Sequence, residues 1–446
     1  MCLRLIAIAL LSSVALASSP ADARQPNVIL IMADDLGYET IGANGGESYQ
    51  TPHLDKLAAD GMRFDQCYVQ PVCTPTRVEL MTGMSNVRNY IEFGLLDPDA
   101  VTFAQLFKQA GYVTGIAGKW QLGRKPGLPQ HFGFDESCLW QQTRRPSRYP
   151  NPGLEYNNEE RDFTNGEYGP DLVNDFALDF VTRHKDQPFL LYYPMLLTHD
   201  PYVPTPDSAE WDPTAKDERD HQAPKHFGEM VAYMDKLVGK LVAKVNELGI
   251  RDETIIIFLG DNGTGIHATS TFKGKPYKGG KGTHTVRGMH VPLFVDWPGH
   301  VPAGTANDDL VSSVDFLPTL CDAAGITPPK TLTLDGRSFW PQAIGEKGSP
   351  RPWIYSWFSA DGGEQKKSEF AMNKRYKLYR NGSLYDLAAD PFEEQEPLDN
   401  ATLTAEQQAA AAELGKVLAS FADARPAKLI KPGGAPTNRQ LSRPGR

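Results

Sequence analysis

Short runs of apolar residues recur along the first two thirds of the chain, and most of them are rich in β-branched side chains. Each has the length of a buried strand, and helix-period patterns of apolar positions lie between them. Five such runs are predicted as strands, at 27–33, 112–117, 188–197, 254–259 and 291–295. Helices are predicted between Pro52 and Gly61 and at 102–110, 171–183 and 224–248. Strands that are apolar throughout and alternate with amphipathic helices predict an α/β fold, in which helices sandwich a large, mostly parallel sheet.

The pattern changes after residue 351. Four short segments predict a smaller antiparallel sheet, at 353–358, 369–373, 376–380 and 384–387. Asn381-Gly382 between the last two is a typical turn dipeptide, and an alanine-rich helix is predicted at 404–421. The stretch 141–169 is polar and has no clear periodicity, and a loop of this length in a compact domain is typical of a functional segment.

The two ends of the chain differ from the rest. Arg4 precedes an apolar run, 5–17, that is shorter than the roughly 20 residues a membrane span needs. The small residues at the end of this run are typical of a signal-peptide cleavage site. A buried N-terminal helix would also be apolar. We expect an exported protein, periplasmic or secreted, without an integral membrane segment. The expected parts are a signal peptide at 1–23, a catalytic α/β domain at 24–350, a C-terminal α+β subdomain at 351–424 and a flexible basic tail at 425–446.

Composition narrows the classes of function. The chain has 45 basic and 55 acidic residues, and its net charge of −10 disfavours a nucleic-acid partner. Hydrophobic residues make up 40% of the chain and charged residues 22%, which excludes wholesale disorder. The five cysteines form no Cys-x-x-Cys pair, so neither a disulfide-built fold nor a structural zinc site is expected.

Chemically reactive side chains follow four of the predicted strands. In strand order they are Asp34 and Asp35, then Lys119, then His199, then Asp261 and Asn262. Any one of them could belong to an ordinary turn or helix cap, but in an open α/β sheet ligands bind at the shared carboxyl edge of the strands. Carboxylate and amide oxygens suit Ca²⁺ or Mg²⁺ better than zinc. A divalent cation beside Lys and His predicts a site for a small tetrahedral anion.

Cys73 is the candidate nucleophile. Pro75 suits the first turn of a helix that continues towards Gly83, so Cys73 is predicted at a helix N-terminus, where backbone N–H groups favour anions. The residue type alone leaves two plainer interpretations open, a cysteine that merely starts a helix and a thiol of low pKa.

The stretch from Cys73 reads Cys-Thr-Pro-Thr-Arg and continues to Leu-Met-Thr-Gly at 80–83. With Asp34-Asp35 and Gly-Asp-Asn-Gly at 260–263 in the same order, the chain resembles the type I sulfatases, the arylsulfatase family within the alkaline phosphatase superfamily. Further matching stretches lie at 51–55, 118–120, 280–283, 291–292, 297–299, 384–387 and 390–391. The resemblance covers most of the chain and implies an alkaline phosphatase-like fold and hydrolysis of a sulfate ester.

The resemblance also implies a role for each matching residue. A maturation enzyme would oxidise Cys73 to formylglycine (3-oxoalanine), whose hydrate is the nucleophile of the family. Arg77 would hold the modified residue, while Lys119 and Lys281 would grip the sulfate oxygens. His199 would protonate the leaving oxygen. One Ca²⁺ ion, in preference to Mg²⁺, would be bound by Asp34, Asp35, the modified Cys73, Asp261 and Asn262.

Two positions depart from the family pattern. Gln121 stands where the family usually has a His that removes a proton to regenerate the aldehyde, and an amide cannot act as a base. His267 and His284 are the candidates to replace that His; otherwise turnover is slow or absent. The usual Glu-Gly-Gly after the Lys281 stretch is altered at 286–288 to Val-Arg-Gly. We expect activity to survive, because the other site residues match.

The segment 140–156 interleaves aromatic residues with arginines: Trp140, Tyr149, Tyr156, Arg144, Arg145 and Arg148. Aromatic faces suit sugar rings, and Arg suits sulfates or carboxylates. Together with export, this favours a sulfated glycan as substrate, although a solvated loop has a similar composition. The predicted substrate contacts are Gln121, Trp140 and the three arginines.

Three other functions stay open on the sequence alone. They are a phosphate or phosphonate ester hydrolase of the same superfamily, a non-catalytic binder of sulfated glycans, and a thiol enzyme that uses unmodified Cys73. Once Cys2 leaves with the signal peptide and Cys73 is converted, three thiols remain, at Cys67, Cys138 and Cys321. Cys321 lies in an apolar helical run and is predicted in the core.

Overall fold

The computed structural model describes residues 25–215, 219, 222–363 and 367–430. The predicted signal peptide at 1–23 and residues 431–446 of the predicted tail lie outside the described residues. Within the described ranges, every helix is too short or too polar to cross a membrane.

The described chain contains sixteen strands in three sheets. They are β1 Asn27–Ala33, β2 Met62–Tyr68, β3 Val113–Gly118, β4 Glu136–Trp140, β5 Gly153–Tyr156, β6 Glu159–Asp162, β7 Phe189–Pro194, β8 Thr254–Gly260, β9 Thr269–Phe272, β10 Lys275–Lys278, β11 Leu293–Asp296, β12 Thr305–Ser312, β13 Ile354–Phe358, β14 Ser368–Met372, β15 Tyr376–Tyr379 and β16 Leu384–Asp386. The α-helices are α1 Pro52–Asp60, α2 Cys73–Thr82, α3 Asn86–Asn89, α4 Phe103–Gln109, α5 Leu128–His131, α6 Gly169–His184, α7 His226–Glu247, α8 Val286–Met289, α9 Phe316–Ala323, α10 Trp340–Ala343 and α11 Ala405–Ser420.

Ten strands form one large mixed sheet, in the order β12-β2-β11-β8-β1-β7-β3-β4-β5-β6. Its centre, from β8 through β1, β7 and β3 to β4, is parallel throughout. The antiparallel pairings lie on either side of this centre, at β11 and at β5 and β6. The predicted α/β fold with a large, mostly parallel sheet is therefore confirmed, with mixed flanks.

Strand β1 shows why the central strands carry apolar residues on both faces of the sheet. Val28 and Leu30 belong to the core on the side of α2, α4 and α9, whereas Ile29 and Ile31 belong to the core on the side of α1, α6 and α7. All four side chains are fully buried. Successive strand residues point to opposite faces, so a sheet covered on both faces needs apolar residues of both parities.

The polar stretch 141–169 differs from its prediction as a loop. It contains the hairpin β5–β6, which adds two antiparallel strands to the end of the large sheet. All four residues of β6 are exposed, so this edge strand is held by backbone pairing and leaves no apolar pattern in the sequence.

The C-terminal strands form a separate antiparallel sheet in the order β13-β14-β15-β16, as predicted, and α11 packs on β14 and β15. Residues 425–430, which the sequence assigned to the tail, pack against this unit. The Arg425 guanidinium lies 4.3 Å from the ring centroid of Trp357 and donates to the carbonyl oxygen of Gly362.

Candidate active site and metal centre

The four strands that carry reactive residues at their ends, β8, β1, β7 and β3, are consecutive in the large sheet. Their carboxyl ends therefore meet at one edge, as predicted. Backbone hydrogen bonds lock the segments that follow: Asp34 N donates to Leu197 O at 2.9 Å, and Asp261 N donates to Ala33 O at 3.0 Å. Residues that lie as far apart in the sequence as Asp34 and Asn262 thus form one cluster.

The acidic half of the cluster comes from β1 and β8. Asp34, Asp35, Asp261 and Asn262 are all fully buried. The backbone N–H of Asp35 donates to Asp261 Oδ1 at 3.0 Å, and Asn262 Nδ2 donates to Asp35 Oδ1 at 2.9 Å. Asp35 holds a left-handed backbone conformation with φ 65°, which Asp tolerates better than most residues.

Cys73 is the first residue of α2, as the sequence predicted. Arg77 follows about one turn later and is fully buried. Its Nη2 donates to Asp261 Oδ2 at 2.9 Å, and its Nη1 donates to the carbonyl oxygen of Lys119 at 3.0 Å. Arg77 therefore joins the start of α2 to the ends of β8 and β3.

Lys119 is placed by the glycine before it. Gly118 has φ 122°, and a Cβ on it would lie 1.9 Å from the carbonyl oxygen of Pro194, so only glycine fits. This close approach lets Lys119 N donate to the same oxygen at 2.7 Å. The Lys119 ammonium then reaches Asp34, at 2.8 Å from Oδ1 and 2.6 Å from Oδ2.

Lys281 and His199 form a pair at the open side of the cluster. Lys281 Nζ lies 2.7 Å from Asp35 Oδ2 and 3.0 Å from His199 Nε2. His199 Nδ1 lies 2.6 Å from the carbonyl oxygen of Asp200, which only accepts, so Nδ1 carries the proton. Burial lowers the pKa of His199 to about 4, against the opposing effect of Asp35. The neutral ring therefore accepts a hydrogen bond from Lys281 Nζ at Nε2.

Gln121 is brought to the candidate nucleophile. It has a left-handed backbone, φ 54°, and its Oε1 accepts a hydrogen bond from Cys73 Sγ at 3.1 Å. The two histidines considered as substitutes lie elsewhere. The His284 ring packs near Phe358, with centroids 5.8 Å apart, and His267 is exposed. In the described part of the chain, no hydrogen bond joins either ring to Cys73.

The donor set fits a divalent cation. A carboxylate oxygen of Asp34, the Cys73 sulfur and a carboxylate oxygen of Asp261 all lie within 4.8 Å of one another. Asn262 Oδ1 is buried beside these groups, and among the described residues it accepts no hydrogen bond. An orphaned amide oxygen next to convergent carboxylates is suited to binding a hard cation. The residues present therefore fit the metal that the family implies.

The pKa shifts of the acidic residues follow from burial and from their cationic neighbours. Burial raises the pKa of Asp34, but Lys119 and the other nearby cations outweigh it and hold this pKa well below its ordinary range. Burial, followed by the Asp34 carboxylate, raises the pKa of Asp261 to about 7. A cation between the two carboxylates would favour their charged forms.

The thiol of Cys73 is not activated in this environment. Burial raises its pKa, and the carboxylates of Asp261 and Asp34 add to the effect, against Lys119 and Lys281. This opposes the low-pKa thiol interpretation. The other described cysteines are buried and free, and Cys321 lies in the core as predicted.

The predicted substrate residues separate into two groups. Arg148 is nearly buried and lies 4.3 Å from the Trp140 ring centroid, and Arg145 lies 5.8 Å from the same centroid. Arg144 instead points to the edge hairpin, where it pairs with Glu160 at 3.1 Å and Asp162 at 2.6 Å. The structure therefore does not bring Arg144 to the site, because the acidic strand β6 binds it.

Tyr149 of this segment is not available as a sugar platform. It is fully buried, and its hydroxyl donates to the carbonyl oxygens of Leu196 and His199, so it supports the His199 segment. Tyr156 is half-buried and packs near Phe176, with ring centroids 6.2 Å apart. Aromatic residues serve packing as readily as binding, so the sequence pattern does not separate the two roles.

The sequence analysis missed one residue beside the predicted substrate arginines, Arg124. It follows Lys119 by five positions, and its charge acts on Arg145. Its place directly after the Lys119 motif was a usable signal.

Comparison with known proteins identifies the family of the chain. The family model described as Sulfatase matches residues 26–326, and one described as N-sulphoglucosamine sulphohydrolase, C-terminal, matches residues 284–420. Human arylsulfatase A is 34% identical over 417 residues, which cover 84% of this chain and 80% of that protein. Human N-acetylgalactosamine-6-sulfatase is 30% identical over 397 residues, covering 80% and 74%.

A solved structure extends the likeness to three dimensions. Ps i-CgsB in complex with k-i-k-neocarrahexaose is 26% identical and superposes with a TM-score of 0.77 over 92% of this chain and 96% of that chain. The family model, the relatives and the similar solved structure point to the family that the motif around Cys73 indicates. The chain belongs to the sulfatase family of sulfuric ester hydrolases.

Proposed function

We propose that this sulfatase hydrolyses a sulfate ester on a sulfated carbohydrate, with a formylglycine made from Cys73 and one bound Ca²⁺. The observation that carries the proposal is the position of Cys73, which starts α2 beside Asp34 and Asp261. A carbohydrate substrate is supported by the named amino-sugar substrate of one relative. The sugar bound in the similar solved structure supports it as well.

The ligands of the cation would be Asp34, Asp35, Asp261, Asn262 and the modified residue 73. When bound, the cation supplies Lewis acidity, and the formylglycine hydrate supplies an oxygen nucleophile with a second hydroxyl that permits release of sulfate. Arg77 keeps residue 73 and Asp261 in register, because it is buried and fixed at both ends of its guanidinium.

Lys119 and Lys281 bind the sulfate oxygens in this proposal. Both ammonium groups contact the acidic residues in the structure, Lys119 at 2.6 Å from Asp34 and Lys281 at 2.7 Å from Asp35, and Lys281 is the partly exposed one. Two cations in a buried site attract a sulfate ester and stabilise the charge that develops during its cleavage.

The Lys281–His199 pair supplies the proton for the leaving alcohol oxygen. Because Nδ1 of His199 is committed to Asp200 O, the transferable proton lies between Lys281 Nζ and His199 Nε2. General acid assistance of this kind contributes about 10²–10⁴-fold. Gln121 holds a hydroxyl of residue 73 through Oε1, which accepts from Cys73 Sγ in the structure.

One experiment tests the nucleophile. Trypsin is expected to release residues 64–77, which carry both Cys67 and Cys73, so Cys67 is an internal thiol control. Protein from cells that contain a formylglycine-generating maturation enzyme should give a peptide with one alkylable thiol and one aldehyde. Two alkylable thiols in an active enzyme would contradict the proposal.

A second measurement tests the reaction. The converted protein should cleave a sulfate ester faster than the matched phosphate ester, and removal of Ca²⁺ should lower its melting temperature. Faster phosphate or phosphonate cleavage would favour the alternative hydrolase. Tight glycan binding without release of sulfate would favour a non-catalytic binder.

Export and the domain boundaries are further proposals. We infer a leader at 1–23, a catalytic part at 24–350, a C-terminal part at 351–424 and a basic tail from 425. The N-terminal sequence of the mature protein tests the leader, and a mature chain that begins at Met1 would refute it.

A further inference from the structure

Three arginines lie together beside the active site: Arg124, Arg145 and Arg148. We call them the arginine cluster. The charges of Arg124 and Arg148 both act on Arg145, and Arg145 in turn interacts with Cys73. Arg148 acts on His199. The cluster therefore borders the site on the side of residue 73 and the leaving-group pair.

Backbone contacts place Arg145 at the opening of the site. One of its terminal nitrogens, Nη2, lies 3.9 Å from the position that a Cβ on Gly94 would occupy. The N–H of Gly94 donates at 3.1 Å to the hydroxyl of Thr74, the residue next to Cys73. Arg145 therefore lies close to the backbone that is hydrogen-bonded to the start of α2.

Arg145 differs from its neighbour Arg144 in its partners. Arg144 pairs with two carboxylates, those of Glu160 and Asp162. Among the described residues, Arg145 forms no ion pair or hydrogen bond, and its one ring contact is with Trp140. A half-buried guanidinium beside two like charges is unfavourable unless an anion joins it.

Electrostatics agrees with this geometry. Burial, followed by the charges of Arg124 and Arg148, lowers the pKa of Arg145 to about 10. The guanidinium still carries its charge at neutral pH. Arg145 therefore presents its positive charge to a bound molecule, with two further guanidinium groups close enough to act on it.

We propose that the arginine cluster is a second anion subsite, which binds a further sulfate or a carboxylate of the same glycan from which the first sulfate is removed. This inference rests on the proposed function and narrows the substrate to a polyanionic glycan. Arg145 is the principal contact, because the planar guanidinium can hold two oxygens of a sulfate or carboxylate.

The test compares Arg145→Gln with Arg144→Gln, which removes the adjacent charge outside the site. Both converted enzymes are assayed on a small aryl sulfate and on monosulfated, disulfated and monosulfated uronic acid-containing disaccharides. For each enzyme, kcat/KM for a disaccharide with a second anionic group is divided by kcat/KM for the aryl sulfate. Arg145→Gln should lower this ratio about tenfold or more, mainly because KM for the disaccharide rises. Arg144→Gln should leave that ratio within about twofold. The preferred disaccharide tells which anion is bound.

Two outcomes would overturn the subsite. One is an equal loss by Arg145→Gln on all substrates, which would place Arg145 on the cleaved sulfate. The other is an equal loss of the ratio in both variants.

Calorimetry on Cys73→Ala protein keeps the test independent of turnover. This protein should bind the disulfated disaccharide more tightly than the monosulfated one, and Arg145→Gln should abolish the difference. If the converted enzyme does not hydrolyse the aryl sulfate but the Cys73→Ala protein still prefers the disulfated disaccharide, the proposed function fails and the subsite stands. Equal binding of the two sugars refutes the subsite.

Discussion

Gln121 lies beside the nucleophile position, where the family pattern has a base. Its left-handed backbone turns the side chain towards residue 73, and Oε1 accepts from Cys73 Sγ at 3.1 Å. In the proposed formylglycine form of residue 73, an amide at that distance would orient a hydroxyl but could not take its proton. In the described structure the candidate replacements are not beside it, since His284 packs on the C-terminal sheet and His267 is exposed. Release of sulfate is therefore the step that this site supports least.

The first prediction is that Gln121→His raises kcat, because an imidazole at this position can accept the proton that the amide cannot. General base catalysis sets an upper range of about 10²–10⁴-fold, and we expect about tenfold or more. The measurement is kcat on one sulfate ester at equal, verified conversion of residue 73. Gln121→Asn, which also lacks a base, is the control and should not raise kcat. An unchanged kcat in Gln121→His would mean that another group already removes the proton.

At the scale of elements, the C-terminal sheet reaches the loop that carries Lys281. Lys377 of β15 is nearly fully buried, and its ammonium donates to the carbonyl oxygen of His284, three residues after Lys281. It also pairs with Glu393 at 2.7 Å. Burial lowers the pKa of Lys377 to about 8, against the effect of Glu393. One buried cation therefore ties the small sheet to the active-site loop.

The second prediction is that Lys377→Met lowers both the stability of the fold and the activity of the enzyme. We expect a loss of about 3–5 kcal/mol in the free energy of unfolding, because Glu393 is left buried without its partner. We also expect about tenfold lower kcat/KM for the folded enzyme, because displacement of Lys281 would misplace the sulfate contact that we propose for it. Denaturation and steady-state kinetics measure the two effects.

Lys374→Met is the matched control. Lys374 follows β14, and its pair with Asp308 is largely exposed, so both values should stay near wild type. A stability loss in Lys377→Met with unchanged kcat/KM would show that Lys377 acts on the fold alone.

At the scale of the whole molecule, the buried carboxyl of Glu79 couples stability to pH. It lies on α2, away from the acidic cluster, and accepts from Gln70 Nε2, Asn86 N and Ser313 Oγ. Burial raises its pKa to about 7, although these hydrogen bonds oppose the shift. The ordinary value is 4.5. The folded protein therefore binds this proton more tightly than the unfolded chain.

The third prediction follows from the sign of that shift. Because the folded-state pKa lies above the unfolded one, the contribution of Glu79 to stability is complete below pH 4.5 and is lost as the pH rises through 7. The loss amounts to about 3 kcal/mol, which Glu79→Gln should not show. The free energy of unfolding of both proteins at several pH values between 5 and 8 measures this. The exposed Glu413→Gln is the control substitution, and a pH-independent difference between wild type and Glu79→Gln would contradict the prediction.

Local pattern determined much of this protein. The run from Val28 to Ala33 is apolar at every position, which indicates a strand covered on both faces, and it lies within β1. The start of α2 at Cys73 followed from Pro75 and the apolar residues after it. The family motif named the site residues, because their chemistry depends on residue type and local spacing. These features could be predicted since each is set by neighbours in the sequence.

Tertiary structure decided which of those residues meet. Edge strand β6 had no apolar signature, because backbone pairing holds it, and its acidic residues bind Arg144 away from the site. Arg145, one position later, instead lies with Arg124 and Arg148 beside residue 73. Two adjacent arginines with the same local pattern thus receive different roles. The order of the strands and the packing of distant segments fix those roles, and neither is encoded in the spacing of nearby residues.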